Sequence, residues 1–297
     1  MRGTLIVLGS CLLLALASLM APGVLNTGFD ALDALFGWTG PLVAVSLVSL
    51  ATGILFLLLF PHVSAQNWIK SVKDKIKFHL LSIRLYQDNP GNVLRSTSGA
   101  LGWNFAYLGL NILPMVVLVI PFMVIWFQLN ALYAFDPLQP GDEQVVVAEL
   151  KPGTDVNQVQ LAPSTGGWSV VLGPVRINDG TPRVLWTLRA EKEGVFDLTF
   201  QDGEESVTKT LAVGERPRRL AKVRTASPWA NFFRMKDPIL YFGEPVLSKS
   251  SFLQTVTIDY PNASFGPFDG EIGIMILFVL ISMVAAFALK GPFGVEF

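Results

Sequence analysis

Four long apolar runs dominate the pattern of hydrophobic and polar positions along this chain. They cover residues 4–21, 41–60, 107–135 and 272–289. A transmembrane helix needs roughly 20 consecutive, mostly apolar residues, and each run is close to that length or longer. The pattern therefore predicts an α-helical membrane bundle with about four transmembrane helices. Residues 1–135 hold three of them, and residues 272–297 hold the fourth and a short tail.

Positive charges between the runs predict which segments stay in the cytoplasm, because short loops rich in Lys and Arg are retained there. The segment 22–40 carries none, whereas the segment 62–103 carries Lys70, Lys73, Lys75, Lys77, Arg84 and Arg95. We therefore expect the segment 62–103 and both termini to be cytoplasmic. The loop 22–40 and the long segment after the third run are then external.

The first run permits more than one interpretation. Arg2, the apolar stretch and the small residues Ala15, Ala17 and Ser18 are also typical of a signal peptide. The residues around Cys11 loosely resemble a lipoprotein cleavage box, but only a short apolar stretch precedes Cys11 and the run continues past it. We favour an uncleaved membrane anchor with a buried cysteine.

The cytoplasmic segment predicts a helical hairpin. Residues 64–86 read as an amphipathic helix, because apolar residues recur every three or four positions at Ile69, Val72, Ile76, Leu80 and Ile83. A turn follows at residues 88–91. A second helix then begins near Asn92 and runs to the third span, with a break at Gly99 or Gly102.

Cations on this hairpin are a candidate docking surface: Lys70, Lys73, Lys77, Arg84 and Arg95. They would bind either anionic lipid headgroups or a partner such as a nascent chain or a ribosome. We favour lipid, because basic amphipathic helices beside membranes are common.

Uncharged polar residues inside the predicted spans form a candidate groove: Ser46, Ser49, Thr52, Asn104, Tyr107 and Asn111. A wet groove of this kind would lower the cost of bringing polar peptide into the bilayer. The favoured alternative is helix packing, in which small and hydroxyl side chains let helices approach closely. No charged residue lies in the middle of a span, which argues against a proton or ion pathway.

Between the third and fourth runs, the pattern changes to short alternating strands separated by turns. Strands are predicted at residues 144–150, 156–162, 168–177, 183–190, 195–201, 206–213 and 255–260. They indicate an all-β sandwich domain over residues 140–262. The stretches 184–188 and 193–198 resemble strands of an immunoglobulin-like domain, in which a buried tryptophan such as Trp186 and a turn glycine such as Gly194 are common.

A cluster of cations follows the sixth strand: Arg216, Arg218, Arg219, Lys222 and Arg224. This external basic patch is expected to be a solvated charged face. The alternatives are contact with lipid headgroups or with an acidic partner.

Composition limits the chemistry available. The chain is 51% hydrophobic and 15% charged, and its net charge of −1 argues against a nucleic-acid partner. One cysteine and two histidines supply few metal ligands, and no catalytic motif is present. We therefore expect no catalytic residues, no metal and no cofactor, and a protein that is not an enzyme.

Residues 40–135, together with the span 272–289, resemble the Oxa1/YidC/EMC3 superfamily of membrane-protein insertases. The likeness lies in an outside-in span, a basic cytoplasmic hairpin and a span with a polar entry. The long external segment departs from that pattern, and the groove arginine of bacterial members has no counterpart, since Arg95 lies outside the predicted spans. Residues 83–88 and 287–297 also resemble uncharacterised bacterial membrane proteins.

This resemblance implies a protein of the bacterial inner (plasma) membrane that assists the insertion or assembly of other membrane proteins. Its partners would be the lipid bilayer and other membrane proteins or nascent chains. The alternative is a membrane-anchored envelope binding module or sensor that uses the external, periplasmic β-domain.

Overall fold

The computed structural model describes residues 2–164, 166–226 and 243–295. These residues form two compact units, each built from separate stretches of the chain. The first comprises Met1–Ala21, Val45–Ile125 and Leu277–Phe297, and the second comprises Pro22–Ala44 and Trp126–Ile276. The first unit is helical, and the second carries the β-sheets.

The described residues contain six α-helices: α1 (Arg2–Met20), α2 (Pro22–Phe36), α3 (Pro41–Val63), α4 (Gln66–Leu85), α5 (Pro90–Tyr133) and α6 (Gly270–Leu289). A short 3-10 helix, Gly37–Thr39, follows α2. By length and composition α3, α5 and α6 can cross a membrane, and α1 with α2 adds a fourth only if that bent pair is one broken span. Three of the predicted spans are thus confirmed as helices that are long and apolar enough to cross a membrane. This finding is compatible with a membrane protein.

Two predictions about the helices are wrong. The segment 22–40 is not a loop, because most of it forms α2. The second hairpin helix and the third span are not separated at Gly99 or Gly102, because α5 is continuous over 44 residues. Gly99 serves close packing instead: a Cβ added there would lie 2.5 Å from the ring of His79 on α4.

Small residues bring α3 and α6 together inside the helical unit. The Ser282 hydroxyl donates a hydrogen bond to the carbonyl oxygen of Ser49 at 3.0 Å. A Cβ added to Gly53 would lie 2.5 Å from the Ser282 carbonyl oxygen and 2.9 Å from the Cβ of Ala285. Small residues permit this approach because apolar helices in lipid associate by close packing rather than by the hydrophobic effect.

The second unit contains ten described strands: β1 (Glu143–Leu150), β2 (Gln160–Leu161), β3 (Trp168–Ile177), β4 (Arg183–Ala190), β5 (Gly194–Asp202), β6 (Glu205–Val213), β7 (Val223–Thr225), β8 (Leu253–Ile258), β9 (Ser264–Phe265) and β10 (Phe268–Asp269). The five-stranded sheet has the order β3-β4-β1-β8-β7, and the three-stranded sheet has the order β2-β5-β6. Every neighbouring pair in both sheets is antiparallel. The predicted bounds of β3 and β4 are correct, whereas β2 is much shorter than predicted and β7 was missed.

The inward faces of the two sheets supply the core of this unit. Alternate side chains of β1 and β4 are buried, as period-two patterning requires. The rings of Trp186 on β4 and Phe200 on β5 lie 5.5 Å apart between their centroids. The Tyr260 hydroxyl donates to the carbonyl of Thr210 and accepts from the amide of Ala212, both on β6. A separate β-region is thus confirmed, and the immunoglobulin-like arrangement stays a prediction.

We expect the substitution Gly53→Ala to destabilise the helical unit. The new methyl group meets backbone and a short side chain, neither of which can rotate away, so α3 and α6 must separate. Overpacking of this kind costs about 1–3 kcal/mol. The midpoint of thermal unfolding, measured on the full chain in detergent, should fall.

Gly109→Ala is the matched control on α5, because no described atom lies within 4 Å of a Cβ built there. Alanine is favoured over glycine inside a helix by roughly 0.5–1 kcal/mol, so this variant should keep or raise the midpoint. Equal midpoints for the two variants would contradict the packing argument.

Candidate functional site

A cavity of about 430 Å³ opens between α3, α5 and α6 within the helical unit. α3 contributes residues from Gly53 to Phe60, α5 from Asn111 to Phe122, and α6 from Val279 to Phe287. The lining is almost wholly aliphatic and aromatic, and Asn111 and Ser282 are its polar side chains. The cavity therefore suits an apolar occupant.

Two of the predicted groove residues, both on α3, are buried. The side chains of Ser49 and Thr52 are 0% and 4% exposed. Their hydroxyls donate to the carbonyl oxygens of Val45 and Val48 on the same helix, at 2.6 and 2.7 Å. These contacts favour helix packing for Ser49 and Thr52, whereas Ser46 is half-buried on the same helix.

Three further groove residues lie on α5. Asn104 is exposed, Tyr107 is half-buried, and Asn111 lines the cavity. The Asn104 amide donates to the Ala100 carbonyl at 3.0 Å, and the Asn111 amide to the Tyr107 carbonyl at 2.8 Å. Their donors are thus bonded within the helix itself. Of the six groove residues, Asn111 alone is in the lining of this cavity, and a role for the groove stays a prediction.

The hairpin carries a row of cations on α4. Lys70, Lys73, Lys77 and Arg84 are spaced by three, four and seven residues, which places them along one side of the helix. Lys73 is half-buried with its Nζ 5.9 Å from the centre of the Tyr107 ring, and the others are exposed. The fifth predicted docking residue, Arg95, is exposed on α5. Their docking role stays a prediction.

An apolar strip lies beside this row and was not predicted. Phe78, Leu81 and Leu85 are 65%, 57% and 73% exposed. Leu80, which belongs to the predicted apolar face, is also 55% exposed, whereas Ile69 and Val72 on that face are buried. The spacing of Phe78, Leu81 and Leu85 by three and four residues was the available signal. The hairpin thus presents both cations and large apolar side chains.

The predicted basic patch is not a solvated face. Arg219 is 9% exposed and donates from Nε to the Asp30 carboxylate at 2.8 Å. Its other nitrogens donate to the Gln128 side-chain oxygen at 2.8 Å and to the Asn26 carbonyl at 3.0 Å. Burial lowers the pKa of the Arg219 guanidinium, and the bond and charge of Asp30 oppose that shift.

The other four cations of the patch also have partners within the second unit. Arg216 pairs with Asp136 at 3.5 Å, and Arg218 pairs with Asp33 at 3.6 Å. Lys222 pairs with Asp259 at 2.7 Å, while Arg224 donates to the Pro245 carbonyl at 2.8 Å. The expectation of a solvated face is wrong because these cations have partners within the protein. For Arg218 and Arg219 the partners are acids of α2, a helix that the sequence analysis did not foresee.

Asp30, Asp33 and Asn26 were missed as partners of the arginines. Their spacing of four and three residues places them on one side of α2, and this was the only signal for them. The Tyr133 hydroxyl also donates to Asp33 at 2.7 Å, and the Gln128 amide donates to Asn26 at 2.9 Å. We call these five side chains together with Arg218 and Arg219 the arginine cluster.

A second buried ion pair lies in the β-region. Lys209 is fully buried and donates to the Glu244 carboxylate at 2.6 Å and to the Ala221 carbonyl at 2.7 Å. Burial lowers the pKa of Lys209, while the charge of Glu244 opposes that shift. Because Lys209 is fully buried and Glu244 is only 11% exposed, we interpret this pair as a structural contact.

No group of three or more His, Cys, Asp or Glu side chains that could hold a metal ion occurs among the residues that the structure describes. Comparisons with protein-family models, with curated proteins and with solved structures found no match to this chain. The resemblance to the insertase superfamily is thus neither supported nor contradicted by them.

We expect the substitution Arg219→Ala to lower the free energy of unfolding by about 3–5 kcal/mol, because it leaves a carboxylate and an amide without their partner in a mostly buried place. Arg218→Ala is the matched control: that side chain is 54% exposed, and its pair with Asp33 is long. Removing an exposed pair of this kind costs about 0–1 kcal/mol.

Urea unfolding of the full chain in mild detergent, followed by tryptophan fluorescence, measures both variants. The Arg219→Lys variant keeps the positive charge but cannot make all three hydrogen bonds of the guanidinium. Its free energy of unfolding should therefore lie between those of the two alanine variants. A loss of stability for Arg219→Ala no greater than that for Arg218→Ala would contradict the assigned role of the cluster.

Proposed function

We propose that this chain is a membrane protein that assists the assembly of other membrane proteins by holding an apolar transmembrane segment against α3, α5 and α6. The observation that carries the proposal is the cavity between these helices, which is lined almost wholly by aliphatic and aromatic side chains. Ligand sites of this kind are concave and mostly apolar, with few polar groups.

The character of the lining refines the expectation drawn from the insertase resemblance. A groove that passes polar peptide needs unsatisfied polar side chains or water along its wall. Here the Asn111 amide is already bonded to its own helix, and Ser282 is bonded to Ser49. We therefore propose that the cavity receives apolar side chains of a transmembrane helix rather than passing a polar segment.

The hairpin supplies the first contact in this scheme. Its exposed strip, Phe78, Leu81 and Leu85, is able to take up an apolar segment, and the neighbouring cations are able to bind lipid headgroups. In the proposed orientation the hairpin is cytoplasmic and the β-region is periplasmic, in a bacterial inner membrane. The row of lysines after the second predicted span supports this orientation.

A photo-crosslinking amino acid at Met115 tests the cavity. Met115 is in the lining and is 63% exposed, while Leu113, two residues away on α5, is 65% exposed and is not in the lining. The substrate is a ribosome-stalled nascent chain with one apolar transmembrane segment. We expect strong crosslinking from position 115 and weak crosslinking from position 113.

The specificity control is the same nascent chain with its apolar segment replaced by a polar sequence, which should not crosslink from either position. Equal crosslinking from positions 113 and 115, or capture of the polar chain, would remove the cavity from the proposal.

A second candidate function is a membrane-anchored binding module, and the edge of the larger sheet favours it. Among the described strands β3 lies at an edge of the five-stranded sheet. Val170, Val171, Leu172 and Val175 on it are 44–62% exposed. An exposed apolar edge of this kind is able to accept an extended polypeptide as an additional strand.

Leu172→Lys in the full chain separates the two candidates, because a lysine on an edge strand opposes the addition of another strand. If the protein is a binding module, this variant abolishes capture of its extended peptide ligand. If the protein holds transmembrane segments, we expect crosslinking from position 115 to be unchanged. A loss of that crosslinking would contradict the first proposal.

A further inference from the structure

Helix α2 exposes its apolar side and turns its polar side toward the protein, which is the reverse of the arrangement expected for a surface helix in water. Its polar side, with Asn26, Asp30 and Asp33, is bonded to Gln128, Arg219 and Tyr133, which are the other members of the arginine cluster along with Arg218. Its other side is apolar, and there Val24 and Leu35 are 69% and 62% exposed. In water an amphipathic helix buries its apolar stripe and exposes its polar face, so this arrangement indicates an apolar surrounding.

The polar groups on the exposed side of this segment are bonded to its own backbone. The Trp38 side chain is 83% exposed, yet its indole nitrogen donates to the Leu35 carbonyl at 2.7 Å. The hydroxyls of Thr27 and Thr39 donate to the carbonyls of Gly23 and Phe36, at 2.9 and 2.6 Å. In hydrocarbon, polar groups must find their hydrogen-bond partners within the protein, whereas in water the solvent supplies them.

Chain connectivity keeps this segment beside the bilayer. A single residue, Ala21, separates α2 from the apolar helix α1, and four residues separate α2 from the candidate span α3. Since successive Cα atoms are 3.80 Å apart, neither end of α2 is able to move far from those helices. The chain between α1 and α3 contains no Lys or Arg, so electrostatic attraction to anionic headgroups is not available to it.

We propose that α2 is an interfacial helix whose exposed side, with Val24, Leu35 and Trp38, binds the acyl chains of the bilayer. The bonds of the arginine cluster hold its polar side against the end of α5 and the segment after β6. The occupant of this apolar face is lipid. This assignment is independent of the cavity between α3, α5 and α6.

An environment-sensitive fluorophore tests the assignment on the full chain in vesicles. Leu35→Cys and Val24→Cys, each in a Cys11→Ser background, are labelled with a nitrobenzoxadiazole probe. The aqueous control is Ser206→Cys on β6, which is exposed and belongs to the same unit. Because the apolar face of an interfacial helix sits about 5–10 Å into the boundary of headgroups and acyl chains, nitroxides on shallow acyl carbons should reach the probe.

We expect acyl-chain nitroxides to quench the probes at positions 24 and 35 severalfold more than the probe at position 206, and iodide to show the reverse order. Replacing phosphatidylcholine in part by phosphatidylglycerol should leave these ratios unchanged. Three results would overturn the proposal. They are iodide quenching at position 35 equal to that at position 206, shielding of positions 24 and 35 from both quenchers, and acyl-chain quenching that requires anionic lipid. Shielding from both would mean that protein, such as a second copy of this chain, covers α2.

Discussion

The bonds of one guanidinium, that of Arg219, organise the second unit of this protein. It joins three stretches that are far apart in the sequence: α2 through Asp30, the end of α5 through Gln128, and the segment after β6 on which it lies. A buried charge is tolerated only when it is paired and hydrogen-bonded. Burial of Arg219 therefore requires that α2 and the end of α5 lie beside the segment that carries it. The position of α2 and the inward direction of its polar side follow from this requirement.

The elements that the sequence predicted well are those set by local periodicity. Runs of apolar residues found α3, α5 and α6, and alternation found β3 and β4 with the right bounds. Both patterns depend only on residues that are close together in the sequence, so a single sequence is enough to detect them. Leu80 shows the limit, because a repeat of three and four residues does not tell which of two apolar strips on α4 faces inward.

The features that the sequence did not predict depend on contacts between distant residues. Arg219 and Asp30 are 189 residues apart, so a row of arginines read locally looks like a solvated patch. Gly99 looks like a helix breaker until His79 is seen against it. The groove residues had the same ambiguity, since a hydroxyl inside a span suits either a wet passage or close packing. For Ser49 and Thr52, bonds to carbonyls of their own helix favour packing.

The close contact of Gly53 with Ser282 also limits how the helical unit is able to deform. α3 and α6 are closely packed at that contact. Any enlargement of the cavity between the three helices therefore requires a displacement of α5. That helix contains Pro114 and Pro121, and each proline withdraws an amide donor from the carbonyl four residues earlier. α5 is therefore the helix that is able to bend. A ligand larger than the cavity would be accommodated by bending of α5.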